Sequence, residues 1–487
     1  MEEQLRKCLR KYESQQTAAT STEDSQAFLS AAKEALEGDQ SHLLKSVVQD
    51  DKNQAFIFSV GWDLLSVIGT YLSENNDQAE ANINCSTVIE KIAEVGKTKE
   101  VFIGLLEQLD QFLDSAVSRL FFHPLQTVLR KFGSSKSLYL DQALDQLHAC
   151  IEAIPLPQYD GLDRKQKRLL IQDEDYQQLE ETCVDLVEFV APFVFEIQET
   201  VGRVEEEDLQ SRKGFREALS ARKEIQRFLI RLLEYPLVFV EVDFDATSDP
   251  TGGEEKEPSR LAYESGFCTC CKQILTYLTD MRCSITSLLS HIPDTPEPKE
   301  AAATAEADEV QDEQRHLSML GLSNLVYLVH TVRLQEARRP SVYSPDYLFA
   351  LHKIHVATLL QKTEEPTLSK GMELLLTLTN QVEELALSSQ LLMEDIYMNI
   401  PKTLIRIMVT HTSETLRKRA VHILPIYIDK FDWKGRYRLL TVLLESSEHS
   451  GVKGFLIGRI KEYVHATLQS VSWFLSLLLD VALQNHF

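Results

Sequence analysis

The chain has 487 residues, with 74 Asp and Glu against 50 Lys and Arg, for a formal net charge of −24. That balance repels a phosphate backbone and argues against general nucleic-acid binding. Glycine and proline are scarce at 18 and 15, and residues that lose little rotamer freedom in a helix dominate, which disfavours a sheet protein.

In chain order, MEEQLRKCLRKYE reads as a short amphipathic helix without the apolar core of a signal peptide, and SQQTAATSTEDS as a loop. TVIEKIAEVG predicts a helix that opens on a capping box, Thr87 to Glu90, and stops at Gly96 as a left-handed terminator. TKEVFIGLLEQLDQFL follows at once, giving a helix–turn–helix rhythm. The G-K-T within EVGKTKE is no phosphate loop, because Lys91 stands where the motif needs glycine and a helix precedes it. LYLDQALDQLHACIEAI places Leu140, Leu144, Leu147, Ile151 and Ile154 on one stripe, and Pro155 ends it. YPLVFVEVDF (235–244) comes nearest to a strand but equally reads as a helix end and a loop.

Two segments break the rhythm. DFDATSDPTGGEEKEPSR (243–260) and PDTPEPKEAAATAEADEVQDEQ (293–314) are acidic and apolar-poor, so burial cannot offset their ordering entropy. The second is the better boundary. It divides the chain into an amino-terminal helical array (1–292), an acidic mobile linker (293–315) and carboxy-terminal helical repeats (316–487).

FCTCCKQ holds Cys268, Cys270 and Cys271, and Cys283 follows. Zinc signatures use two separated pairs that converge tetrahedrally. Here Ile274, Leu275, Leu278, Met281, Ile285, Leu288 and Leu289 recur at helical spacing, so one continuous helix is expected with its cysteines packed as small hydrophobes. Eight cysteines in this length form no disulfide framework and fit a reducing compartment. GLSNL (321–325) lacks the second glycine of a nucleophile elbow. HKIH sets His352 and His355 on one helical face without a third ligand nearby, and reads as surface histidine. EQRH (313–316) and EYVH (462–465) match the Glu-x-x-His spacing of di-iron bundles, yet that site needs two further glutamates on facing helices. No catalytic constellation, cofactor motif or metal site is expected.

Further on, ETLRKRAVHILPIYIDKFD is periodic through Leu416, Ala420, Ile423, Leu424 and Tyr427, with Pro425 inside it. An interior proline costs about 3 kcal/mol and kinks a helix, as helices do when layers follow a superhelix. Basic residues gather in 402–461, in three groups: Arg417, Lys418 and Arg419; Lys434, Arg436 and Arg438; Lys453, Arg459 and Lys461. Against the acidic background, the first two groups are the candidate partner-binding residues, able to dock and steer an acidic partner. The plain alternative is a solvated helix face. VSWFLSLLLDVAL (471–483) is the longest apolar run, too short to span a bilayer and interrupted by Asp480. At a mean length of about 12 residues the chain would hold about 25 helices. So many cannot share one bundle core, so stacked helix pairs are expected. The fold class is all-α, a HEAT/armadillo-like superhelix (α-solenoid) with degenerate units of about 40–47 residues.

Five strings, NQAFIFSVGWDLL (53–65), FHPLQTVLRKF (122–132), TEEPTLSKGMELL (363–375), ETLRKRAVHILPIYIDKFD (414–432) and ESSEHSGVKGFLIGRIKEYV (445–464), together resemble the glomulin family, and their order and spacing also fit. The resemblance implies a HEAT-like helical protein that inhibits cullin–RING ubiquitin ligases. Such a protein binds the RING subunit and masks the surface that recruits the ubiquitin-conjugating enzyme. It also implies a link to an immunophilin and to vascular development. A cytoplasmic location, with neither nucleic acid nor membrane as partner, is expected from the net charge, the short apolar runs, the N-terminus without a signal-peptide core and the cysteine spacing. Beyond His465 the likeness decays, and the helix carrying Trp473, Phe474 and Leu477 to Leu479 is apolar on most sides. A carboxy-terminally shortened form that self-associates is therefore expected. The alternatives are a generic helical-repeat scaffold and a helical metalloenzyme using His352, His355 or Glu462 with His465.

Overall fold

The computed structural model describes residues 22–75, 79–113, 116–158, 161–162, 166, 169–202, 209–236, 266–289, 317–332 and 344–484. The first helix and most of the first loop read from the sequence, the strand-like run from residue 237 onward, the linker 293–315, and the motif at Glu313 and His316 lie outside these residues.

Among the described residues the regular structure is helical, with one isolated bridge between Leu387 and Phe431. The helices are α1 (Thr22–Glu37), α2 (Ser41–Gln49), α3 (Gln54–Glu74), α4 (Ala79–Val95), α5 (Thr98–Gln111), α6 (Phe122–Arg130), α7 (Lys136–Ala153), α8 (Glu174–Gly202), α9 (Leu209–Leu232), α10 (Gly266–Asp280) and α11 (Ile285–Leu289). They continue with α12 (Met319–Tyr327), α13 (Pro345–Leu360), α14 (Glu365–Gln381), α15 (Asp395–Thr410), α16 (Glu414–Asp429), α17 (Trp433–Ser446) and α18 (Ser450–Gln484). Two compact units result. One spans residues 1–158 and 164–285, the other 159–163 and 286–487.

Within the first unit each helix packs on the one two places along: α1 on α3, α2 on α4, α3 on α5, α4 on α6, α5 on α7 and α7 on α9. The second unit repeats the pattern, with α13 on α15, α14 on α16 and α15 on α17. This alternation defines two parallel rows of helices whose facing stripes form a continuous core, the architecture of an α-solenoid. In the first unit α3 packs against α1, α4 and α5. Its segment 51–74 is the described helix long and apolar enough to cross a membrane, but Phe56, Ile57, Val60, Leu64, Leu65, Ile68 and Leu72 are buried within the array.

Several local expectations hold. Leu140, Leu144, Leu147, Ile151 and Ile154 are buried on α7, and Ile154 turns extended before Pro155. Others need correction. Thr87 lies in mid-helix, its hydroxyl donating to Ile83 O at 2.9 Å, so the capping box is absent. Gly96 is not left-handed. A Cβ there would meet Val101 Cγ2 at 2.5 Å and Ile92 O at 2.7 Å, so glycine is required by the tightness of the α4–α5 turn. The helix expected through Leu289 breaks after Asp280. Arg282 takes φ +56°, Cys283 N donates to Leu278 O and Arg282 N to Thr279 O, each at 2.9 Å. That is a Schellman motif formed without glycine.

Interior prolines occur in α8, α15 and α16 at Pro192, Pro401 and Pro425. Each removes the N–H that would have met the carbonyl four residues earlier. Neighbouring helices supply substitutes. The Tyr427 hydroxyl of α16 donates to Tyr397 O at 2.7 Å, the carbonyl orphaned by Pro401. Gln126 Nε2 of α6 donates to Phe189 O at 2.8 Å and reaches Glu188 O, orphaned by Pro192, at 3.5 Å. Val421, which precedes Pro425 by four residues, lies on the exposed side of α16.

Candidate docking surface

The connection between α16 and α17 is held by a dense set of hydrogen bonds. Leu385 N donates to Asp429 O at 3.1 Å, Leu387 N to Lys430 O at 2.8 Å, and Asp432 N to Leu387 O at 2.8 Å. These bonds lay the segment after α14 alongside the end of α16. Asp432 caps α17 by accepting from Gly435 N at 2.6 Å, and its other oxygen accepts from Ser389 N at 2.9 Å. Those backbone donors, Ser389 foremost, hold its carboxyl below the usual range. Lys430 Nζ donates to Val382 O at 2.8 Å.

Arg436 points back into this corner and is buried. Its Nε donates to Phe431 O at 3.0 Å, and Nη2 donates to Asp429 O. The guanidinium carbon lies 4.9 Å from the Trp433 ring and 5.1 Å from the Tyr463 ring. Arg459 of α18 pairs with Asp429 at 3.1 Å and with Glu462 at 2.6 Å. The Tyr463 hydroxyl donates to Asp429, and burial together with that carboxylate pushes it up to about 12.

The first basic group is also partly occupied. Arg417 Nη1 donates to His411 O at 2.6 Å and Thr412 O at 2.8 Å, closing the α15–α16 turn. Arg419 meets the largely buried Glu373 at 2.9 Å and Ser369 Oγ at 2.7 Å. Burial raises the Glu373 carboxyl, against the opposing pull of the Tyr327 hydroxyl and Arg419. Lys418 is exposed and pairs with Glu414 at 2.8 Å. Of the six candidates, Arg417, Arg419 and Arg436 therefore hold the fold together, whereas Lys418, Lys434 and Arg438 face solvent. The structure brings Lys434 and Arg438 together one turn apart on α17. It sets them beside three residues the charge pattern passed over: Trp433 at 52% exposure, Tyr437 at 74% and Met393 at 72%. The signal was partly present in WKGRYRLLTVLL, where Tyr437 falls about 120° or more around the helix from Leu439 and Leu443.

His352 and His355 are not surface residues. Both are buried, the His352 ring 4.7 Å from His330 and 5.7 Å from His355 by centroid, with Ser323 Oγ 3.2 Å from His355 Nδ1. His330 lies in a π-helical turn, Leu328–Val332, that continues α12. No group of three His, Cys, Asp or Glu side chains among the described residues, this trio included, is placed to hold a metal ion. Glu462 is tied to Arg459 and exposed, as is His465. Cys268, Cys270, Cys271 and Cys283 all lie in the core. Cys183 of α8 lies near Cys270 and Cys271, and burial holds its thiol far above the ordinary value.

Comparison with known proteins places this helical array. A family model described as "Uncharacterised protein family, YAP/Alf4/glomulin" matches residues 11–474. The chain belongs to this family. Glomulin of Mus musculus is 28% identical over 474 residues, covering 95% of this chain and 72% of its own length. Glomulin of Homo sapiens is 28% identical over 481 residues, covering 95% of this chain and 73% of its own length. The family match takes in both units and the whole α16–α17 corner, so the exposed residues of α17 stand within the part shared with the glomulins.

Proposed function

We propose that this member of the glomulin family is a non-catalytic regulator of cullin–RING ubiquitin ligases. In this reading it binds the RING subunit and masks the face that recruits the ubiquitin-conjugating enzyme. The observation that carries the reading is the family match across residues 11–474. The architecture is compatible with it: occlusion requires a stiff scaffold and a few buried anchors at the interface rather than reacting groups, and stacked helix rows provide such a scaffold. An immunophilin is a second proposed partner, on the family resemblance alone, and the cytoplasm the proposed location.

The test is capture of purified RING subunit by the full chain, followed by ubiquitin transfer in a reconstituted ligase. Stoichiometric capture and a dose-dependent fall in transfer are expected. Failure to capture the RING subunit at micromolar concentrations would refute the reading, and capture without inhibition would leave a scaffold in its place.

A further inference from the structure

The exposed face of α17 has a composition that ordinary solvated helices lack. At about 100° per residue, Gly435, Leu439, Leu443, Arg436 and Leu440 share one arc and are buried. Trp433, Tyr437, Thr441, Lys434 and Arg438 share the opposite arc, all exposed except the half-buried Thr441. The hydroxyl of Thr441 is satisfied by Tyr437 O at 2.9 Å. Met393 flanks this arc, its sulfur 3.3 Å from Arg438 Nη1. Trp, Tyr, Met and Arg are the residue types concentrated at interface hot spots. The corner beneath them is held by Asp432, Lys430, Arg436 and Arg459, so little ordering would remain to be done on binding.

Charge selects the occupant. Lys434 and Arg438 stand at i and i+4, a like-charged pair that costs a helix a few tenths of a kcal/mol. Among the described residues neither is in an ion pair, although acidic residues outnumber basic ones by 24. Every other arginine of the two candidate groups already has an oxygen partner. We propose that the exposed arc of α17, with Met393, is a docking site for an acidic protein segment. Carboxylates of that segment pair with Lys434 and Arg438, and an apolar side chain lies against Trp433 and Tyr437. The inference rests on the chain being a docking protein, but not on which partner it regulates.

The experiment uses the full chain and three fluorescein-labelled peptides that share two phenylalanines and differ only in flanking residues: Asp and Glu, Gln and Ser, or Lys. Fluorescence anisotropy should show the acidic peptide binding about tenfold or more tighter than the neutral one, with affinity falling as salt rises. K434E/R438E should abolish that preference and favour the Lys peptide. W433A/Y437A should weaken acidic and neutral peptides alike, and K418E, on α16, should change nothing. These side chains are exposed, so unchanged circular dichroism is expected in every variant. Equal binding of all three peptides, absence of binding, or full binding by K434E/R438E would each overturn the proposal. So would self-association of the wild-type chain abolished by W433A/Y437A, which would assign the face to a second copy. Capture of the RING subunit is a separate measurement and can fail or succeed independently.

Discussion

The buried imidazole of His352 makes the second unit sensitive to acid. The ring is 1% exposed, and burial, with His330 and His355 beside it, lowers its pKa from 6.5 to about 2. In the unfolded chain it titrates near 6.5. Below that pH the unfolded state binds a proton that the folded state refuses, so stability falls with pH. The loss is about 1.4 kcal/mol per pH unit from this one residue and continues until pH nears the folded value. Between pH 7.5 and 4.5 it amounts to about 2.7 kcal/mol, or about 1 M in urea midpoint for a unit of this size. The perturbation is H352L, which removes the titrating group from a site where its Nδ1 has no hydrogen bond. At pH 7.5 the variant should be as stable as the wild type or slightly more so. At pH 4.5 it should exceed the wild type by the full increment. Urea unfolding followed by tryptophan fluorescence in a W62F background reports on the second unit, where Trp433 and Trp473 remain. A difference between wild type and H352L that stays constant from pH 7.5 to 4.5 would refute the reasoning.

Other outcomes follow from the packing. H148L should act in the first unit as H352L does in the second, because burial lowers His148 to about 3; urea midpoints against pH, read from Trp62 in a W433F/W473F background, check it. G371A should destabilise by about 1–3 kcal/mol, since its Cβ would lie 2.9 Å from Leu359 Cβ and 3.1 Å from the α13 backbone; denaturant unfolding measures this. R436M should lose about 1.5–3 kcal/mol through its charged hydrogen bonds, and R436K should not restore it, because lysine lacks the guanidinium fork. Thermal unfolding of the two variants side by side decides the point. Cys183, Cys270 and Cys271 should resist iodoacetamide at pH 8 in the folded protein and react in denaturant, read by peptide mass spectrometry. The first of these thiols is held far above its ordinary value and the second at about 12.

The structure changes how the basic groups are best tested. Charge reversal at Arg417 or Arg419 would break the α15–α16 turn or leave Glu373 unpaired, so lost binding there would not distinguish docking from damage. Lys418, Lys434 and Arg438 carry no such role in the core. The burial of the four cysteines was legible because apolar residues recur around them at helical spacing, although the helix itself ends at Asp280. The surface reading of His352 and His355 did not hold, since a histidine pair looks the same in sequence whether it faces water or the next helix. Thr87 illustrates the converse: a capping sequence in mid-helix is an ordinary run of side chains once the helix starts earlier.

Helix content, the spacing of the buried stripes and the stop at Pro155 were decided by the sequence itself, because each depends on neighbours within a turn or two along one chain. Which arginines are free, which carbonyls the prolines orphan onto a neighbour, and where Trp433 stands were decided only in three dimensions. Arg419 finds Glu373 46 residues away, Lys430 finds Val382 48 away, and Asp432 finds Ser389 43 away. Such partners come from the adjoining layer, and a periodic pattern reports which face of a helix is buried but not what it is buried against.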